Sequence, residues 1–272
     1  METNQDQPRP IGLFDSGIGG FSVMGEVMRS LPEQRLVYFG DTGRVPYGSK
    51  SAETVTRYSL QICRFLLEKQ VKAIVIACNT ASALAMEELQ EKMPVPVLGV
   101  IEPGAKAALA GTRNGRIGVI GTEATIRSGA YERCLLSLDP KLQVFSQACP
   151  LFVPLVEEGW AEDVVTERVA QRYLEKLLMK NIDTLIMGCT HYPYLKRILQ
   201  DVCGKRITLV NPAYETAEEL KKIVGEENSP AAGYTPDIAH EFYCSDDPER
   251  MAAFAGKFLA QQGIKPEMVR LG

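Results

Sequence analysis

Ile74-Val-Ile-Ala-Cys78-Asn-Thr80 and Leu185-Ile-Met-Gly-Cys189-Thr-His191 decide the reading of the fold. Each is a short apolar, β-branched run that ends on a small residue, a cysteine and a polar cap, and a longer stretch follows. Such a run is a strand buried on both faces, and a strand that feeds a helix is half of a crossover unit. The two cysteines are 111 residues apart. Ile11-Gly-Leu-Phe-Asp-Ser16 is echoed 106 residues on by Ile117-Gly-Val-Ile-Gly-Thr122, and Val97-Leu-Gly-Val-Ile-Glu-Pro103 by Thr208-Leu-Val-Asn-Pro212, with the prolines 109 apart. Three landmarks at nearly one offset mark an internal repeat.

Outward from these stretches, the same pattern covers the chain. Strands are expected over 11–14, 36–39, 72–77, 95–100, 117–120, 142–145, 184–187, 207–210 and 241–243, and helices over 52–69, 83–92, 124–138, 161–180 and 215–224. The alternation predicts an α/β fold of two pseudo-symmetric domains, each a mostly parallel sheet flanked by helices. The first domain is expected to comprise 1–102 plus a returning segment 213–272, and the second 103–212. Asn228-Ser-Pro-Ala-Ala-Gly233 is the loop that opens the C-terminal segment. Open α/β sheets bind ligands at the carboxyl ends of their strands, so the site is expected in the cleft between the two halves.

Composition narrows the function class. The chain has 272 residues, 45% hydrophobic and 24% charged, enough for two sizeable cores. Lys+Arg 30 against Asp+Glu 34 leaves a net charge of −4, no surplus for a phosphate backbone, so no nucleic-acid partner is expected. Seven cysteines without a Cys-x-x-Cys, beside only two histidines, argue against a zinc cluster, and no metal is expected. Met-Glu-Thr-Asn-Gln-Asp-Gln-Pro-Arg-Pro10 has no signal-peptide core, and no apolar run approaches the roughly 20 residues of a membrane span. The expectation is a cytoplasmic protein with free thiols and no membrane contact.

Cys78 and Cys189 carry the strongest chemistry. A single cysteine at a strand end is most simply a small hydrophobe. Two at matching repeat positions, each followed by polar residues at a helix start, can address both faces of one small ligand, and a helix N-terminus favours the thiolate. Asp15-Ser16-Gly-Ile-Gly-Gly20 ends the first strand in a tight anion-friendly turn. It is not the dinucleotide fingerprint, since Ser22 stands where the third glycine belongs, although Asp41 ends the second strand where a ribose-binding acid would sit. Pro46-Tyr47-Gly48 forms a loop over the strand ends. His191 stands beside Cys189 as a proton partner, and Glu157 and Glu158 follow the apolar run 150–156. Cys63 and Cys134 fall on helical patterns and read as core; Cys149, Cys203 and Cys244 are read as structural, as is His240. Neither Cys78 nor Cys189 has an arginine six positions on, which argues against a cysteine phosphatase, and no P-loop is present.

Jointly, Asp15-Ser-Gly-Ile-Gly-Gly20, Tyr38-Phe-Gly-Asp41, Pro46-Tyr-Gly48, Ala77-Cys-Asn-Thr-Ala-Ser82, Gly99-Val-Ile-Glu-Pro103, Gly121-Thr122, Cys149-Pro-Leu-Phe-Val-Pro-Leu-Val-Glu157 and Gly188-Cys-Thr-His-Tyr-Pro193 resemble bacterial glutamate racemase over about residues 10–225. The resemblance implies an isomerase without a cofactor that interconverts L- and D-glutamate for peptidoglycan synthesis, and a homodimer. It implies that Cys78 deprotonates the D-isomer and Cys189 the L-isomer, with Asp15 assisting the first and His191 and Glu157 the second. Ser16, Tyr47, Gly48, Asn79, Thr80, Thr190 and His191 match positions that hold substrate, and Asp41 and Thr122 are further site candidates. The sequence departs from many relatives at Asn211-Pro212, where those carry a small hydroxylated residue on the cleft wall. The nearest rival is an aspartate racemase of the same two-cysteine superfamily, separated by one methylene of substrate, about 1–3 kcal/mol. Rivals of other classes are a nucleotide-binding oxidoreductase built on Asp15–Gly20 and Asp41, and a non-catalytic interaction protein.

Overall fold

A computed structural model describes residues 9–225, 238–259 and 263–272. The expected loop at 228–233 and most of the polar N-terminal stretch lie outside the described residues. The first part of the chain runs β1 (Ile11–Asp15), α1 (Phe21–Ser30), β2 (Leu36–Gly40), α2 (Ala52–Glu68), β3 (Ala73–Ile76), α3 (Asn79–Lys92), β4 (Val97–Gly99) and α4 (Ile101–Gly111). The second runs β5 (Arg116–Gly121), α5 (Glu123–Ser128), α6 (Ala130–Leu138), β6 (Gln143–Ala148), α7 (Phe152–Glu157), α8 (Val164–Leu178), β7 (Thr184–Gly188), α9 (Lys196–Cys203) and β8 (Thr208–Val210). Helix α10 (Pro212–Val224), β9 (Glu241–Cys244), α11 (Pro248–Phe258) and β10 (Glu267–Met268) follow.

The strands form two sheets. One has the order β10-β9-β2-β1-β3-β4 and the other β6-β5-β7-β8, and every pairing is parallel. The four strands β2-β1-β3-β4 and β6-β5-β7-β8 therefore have the same topology, which is the repeat seen in sequence. The segment after α10 adds two strands beside β2, with Tyr38 in register with Phe242.

Period-two alternation sends successive side chains to opposite faces, and each face has its own core. In the first sheet Ile11, Leu13, Tyr38 and Val75 join α1, α10 and α11 on one face, while Phe14, Phe39, Ile74 and Ile76 join α2 and α3 on the other. In the second sheet Ile117, Val119 and Ile186 pack with α4 and α6, and Ile120, Leu185 and Met187 with α8 and α9. Both faces are covered, which is why these strands read as continuous apolar runs. The alternation also fixes where the cysteines fall: Cys78 continues the Ile74–Ile76 face and Cys189 the Leu185–Met187 face.

Several boundaries differ from the sequence expectation. The helix expected over 124–138 is two helices, because Gly129 adopts φ +66°, a left-handed conformation that ends α5 and starts α6. The helix expected from 161 begins at Val164, where Asp163 caps it by accepting a hydrogen bond from the Val165 N–H (2.7 Å). Asn211 is likewise a cap: its Oδ1 accepts from the Ala213 N–H (3.1 Å), and Pro212 occupies the first turn of α10, where no N–H is needed. The departure at Asn211-Pro212 thus has a local structural account. No described helix is long and apolar enough to cross a membrane.

Candidate functional site

The carboxyl ends of β1, β3, β5 and β7 converge on one cavity of about 380 Å³. Cys78, the N-cap of α3, lies on one side with Asn79 and Thr80; Cys189, directly after β7, lies on the other with Thr190 and His191. Ser16 and Gly17, from the turn after β1, complete the floor, and Thr122 caps α5 at the edge. The walls come from Val45–Ser49 and from α7, through Val153, Pro154 and Glu157. Among the described residues no lysine or arginine lines the cavity, so an anion there would meet hydroxyls, amides and the N-terminus of α3.

Hydrogen bonds across the cleft hold the two halves in register. The Thr80 hydroxyl meets those of Thr122 (2.9 Å) and Thr125 (3.2 Å), and the Tyr131 hydroxyl donates to Asn79 Oδ1 (2.7 Å). Buried Asp15 accepts from the Gly17 N–H (3.0 Å) and from the Thr190 hydroxyl (3.3 Å), tying the first turn to the residue after Cys189. Gly19 makes this approach feasible, since a Cβ there would sit 2.5 Å from His191 Nδ1 and closer still to Thr190 Oγ1.

The two thiols have different surroundings. Burial, and then the Asp15 carboxylate, push the Cys78 thiol up to about 12, against the Ala81 N–H and the Ser16 hydroxyl, which favour the thiolate. These surroundings favour the thiol over the thiolate at Cys78. Cys189 Sγ lies 3.8 Å from His191 Nδ1, and His191 Nε2 lies 3.0 Å from Glu157 Oε1. Burial lowers the proton affinity of His191, but Cys189 and Glu157 on its two ring nitrogens outweigh it and raise the ring to about 10. Burial also opposes ionisation of Glu157, yet His191 and then Arg250 hold its carboxyl below the ordinary range. Asp15 is raised by burial, which exceeds the opposing pull of His191 and its hydrogen bonds.

A raised imidazole stabilises the fold below its free value near 6.5, and that contribution is lost as pH rises through about 10. Urea unfolding at pH 7 and pH 10 should show the loss, and His191→Asn should shrink it by on the order of 1 kcal/mol. An equal loss in the variant would contradict the charged His191.

Of the candidate residues, Ser16, Tyr47, Gly48, Cys78, Asn79, Thr80, Thr122, Glu157, Cys189, Thr190 and His191 line the cavity. Asp15 lies just beneath it. Asp41 sits elsewhere: its buried carboxylate accepts two bonds from Arg44 Nε (2.8 Å each), one from the Tyr47 hydroxyl and one from Ser245 Oγ (2.7 Å). It anchors the Tyr47 wall rather than facing the cavity. His240 accepts the Leu36 N–H (3.2 Å), and all seven cysteines are free. Sequence reasoning did not find Thr125, Tyr131 or Arg250. Each contacts a residue of the lining without lining the cavity itself, and no local pattern marks it.

Residues 22–220 match the sequence profile of the Asp/Glu/Hydantoin racemase family. The chain belongs to that family. A glutamate racemase of Geobacter metallireducens is 49% identical over 253 residues, 92% of this chain and 93% of the relative. Among solved structures, the glutamate racemase isoform RacE1 of Bacillus anthracis superposes with a TM-score of 0.90 at 39% identity, covering 97% of this chain and 98% of that one. The racemase of Francisella tularensis, solved in complex with D-glutamate, gives 0.88 at 38% identity with the same coverage.

Proposed function

We propose that this racemase acts on glutamate, exchanging the Cα proton between the two faces by means of Cys189 and Cys78. The observation that carries the reading is the pair of cysteines at equivalent strand ends of two like sheets, both on one cavity. With L-glutamate bound, Cys189 as thiolate removes the Cα proton and becomes the thiol. The Cys78 thiol then donates its proton to the opposite face and becomes the thiolate. D-Glutamate runs the same steps in reverse. His191, backed by Glu157, balances charge on the Cys189 side, and Asp15, whose carboxylate bears on the Cys78 thiol electrostatically, serves the Cys78 side. The substrate carboxylates are held by hydroxyls, amides and helix N-termini, notably at Ser16, Asn79, Thr80 and Thr190. Positioning between the two sulfurs supplies much of the barrier reduction.

The same reading gives a homodimer in the cytoplasm that supplies D-glutamate for peptidoglycan synthesis without a cofactor. It divides the chain into 1–102 with 213–272, and 103–212, one thiol on each part. Its support is the resemblance, the seven free thiols and the allocation of strands to the two sheets.

Circular dichroism of purified protein with L-glutamate, then with D-glutamate, in reducing buffer without added cofactor tests this. Both signals should decay to zero. The enantiomers have equal free energy, so kcat/KM should be equal in the two directions. A flat glutamate signal beside decay of the aspartate signal would move the assignment to the shorter substrate. Flat signals with both would contradict the reading.

A further inference from the structure

We propose that Arg250, on α11 of the C-terminal segment, is a positioning residue for the Cys189 side of the site, holding Glu157 in the orientation that engages His191. The inference rests on the racemase reading of the cleft and adds to it a residue from a segment to which the sequence assigns no role. Arg250 Nη2 donates to Glu157 Oε2 (3.0 Å), while the other carboxylate oxygen, Oε1, meets His191 Nε2 (3.0 Å). The opposite ring nitrogen is the one 3.8 Å from Cys189 Sγ. An unbroken chain of polar contacts therefore runs from α11 to a reacting sulfur, and Glu157 is its bridge.

The guanidinium is half exposed, but its backbone is well anchored. Asp247 caps the helix at the Arg250 N–H (3.0 Å), the adjacent Met251 is wholly buried, and further along α11 the Phe258 ring lies tilted against Tyr194 with centroids 3.8 Å apart. Tyr194 lies in the turn that follows His191, so α11 touches the Cys189 half at two points. Glu157 faces two charged partners, His191 and Arg250. His191 faces Glu157, Cys189 and, at longer range, Asp15. Arg250 is a permanent cation whose guanidinium engages Oε2, so it fixes the carboxylate with Oε1 aimed at His191. Without it, a partly buried carboxylate has His191 alone against its desolvation cost.

The chain contains two histidines, so ¹⁵N-histidine NMR reads His191 directly, with His240 as internal reference. In Arg250→Met the His191 titration midpoint should fall by about half a pH unit, because Glu157 loses its aim at Nε2, whereas loss of the Arg250 charge alone would raise it; L-glutamate racemisation should slow about fivefold. Arg250→Lys should restore most of both, and His240 should be unmoved. In a Glu157→Gln background, Arg250→Met should have no further effect. An unchanged or raised His191 midpoint in Arg250→Met, or the same loss persisting in the Glu157→Gln background, would overturn the proposal. A wild-type protein that racemises no glutamate would overturn the functional reading instead, leaving the His191 titration as the test of the contact.

Discussion

Cys189→Ser and Cys78→Ser each lose racemisation by about 10³-fold or more in both directions while the fold is retained. A serine occupies nearly the same volume, and each site offers it a polar partner, His191 in one case and Ser16 in the other. Stability should therefore change by about 1 kcal/mol or less. The acid–base chemistry does not survive the exchange. A hydroxyl is a far weaker acid than a thiol, whose ordinary value is near 8.5, and proton transfer by a positioned group contributes about 10²–10⁴-fold. Both directions fail together, because one sulfur takes the proton and the other returns it. Steady-state rates from both enantiomers, with thermal melts as the control for folding, check this. A variant that kept a tenth of the wild-type rate would remove that sulfur from the reaction.

Gly19→Ala should have the second largest effect. Its Cβ would lie 2.5–2.6 Å from the His191 ring and closer still to Thr190 Oγ1, distances that real Cβ contacts do not reach. The turn after β1 and the residues after Cys189 must then separate, and the Thr190 contact to Asp15 goes with them. A displacement of about 1 Å within a site of this kind costs on the order of 100-fold in kcat/KM, and overpacking costs about 1–3 kcal/mol of stability. Gly111→Ala, at the end of α4 with no atom within 4 Å of its Cβ, serves as control and should leave the rate unchanged. Comparable rates for the two variants would mean that the two halves do not meet at Gly19 in the working enzyme.

Much of this site is legible in the sequence, and the reason is physical. Parallel strands covered on both faces produce continuous apolar runs, so β3 and β7 announce themselves, and a polar residue directly after such a run lies at the ligand-binding edge of the sheet. Cys78, Cys189, Asn79 and Thr190 are found in that way. The repeat adds the pairing, and the shared strand order of the two sheets explains why its offsets hold. Elements lacking such a signal are harder to see. Helix α4 buries a stripe of small residues, Ala105 and Ala108, and carries Pro103 in its first turn, where proline is tolerated although it reads as a breaker. The break between α5 and α6 rests on one backbone angle at Gly129.

Asp41 illustrates the opposite failure. A buried acid at a strand end reads as a ligand group, and only the placement of Arg44, Tyr47 and Ser245 around it shows that its acceptors are already occupied. Ser245 and Arg250 come from beyond position 240, far in sequence from the residues they touch. Contacts of that kind follow from tertiary docking of the C-terminal segment, and neither periodicity nor local motif encodes them.

The most direct test of two sulfurs acting on opposite faces is the fate of the Cα hydrogen in D₂O. The protein is equilibrated in D₂O, given protiated L-glutamate, and sampled by mass spectrometry during the first few per cent of conversion. D-Glutamate should carry one solvent deuterium at Cα from the outset, because its proton comes from a sulfur already exchanged with solvent, while the remaining L-glutamate stays protiated. Protium retained in the product, or deuterium entering substrate and product alike at early times, would mean that a single base serves both faces, and would contradict the division of labour between Cys189 and Cys78.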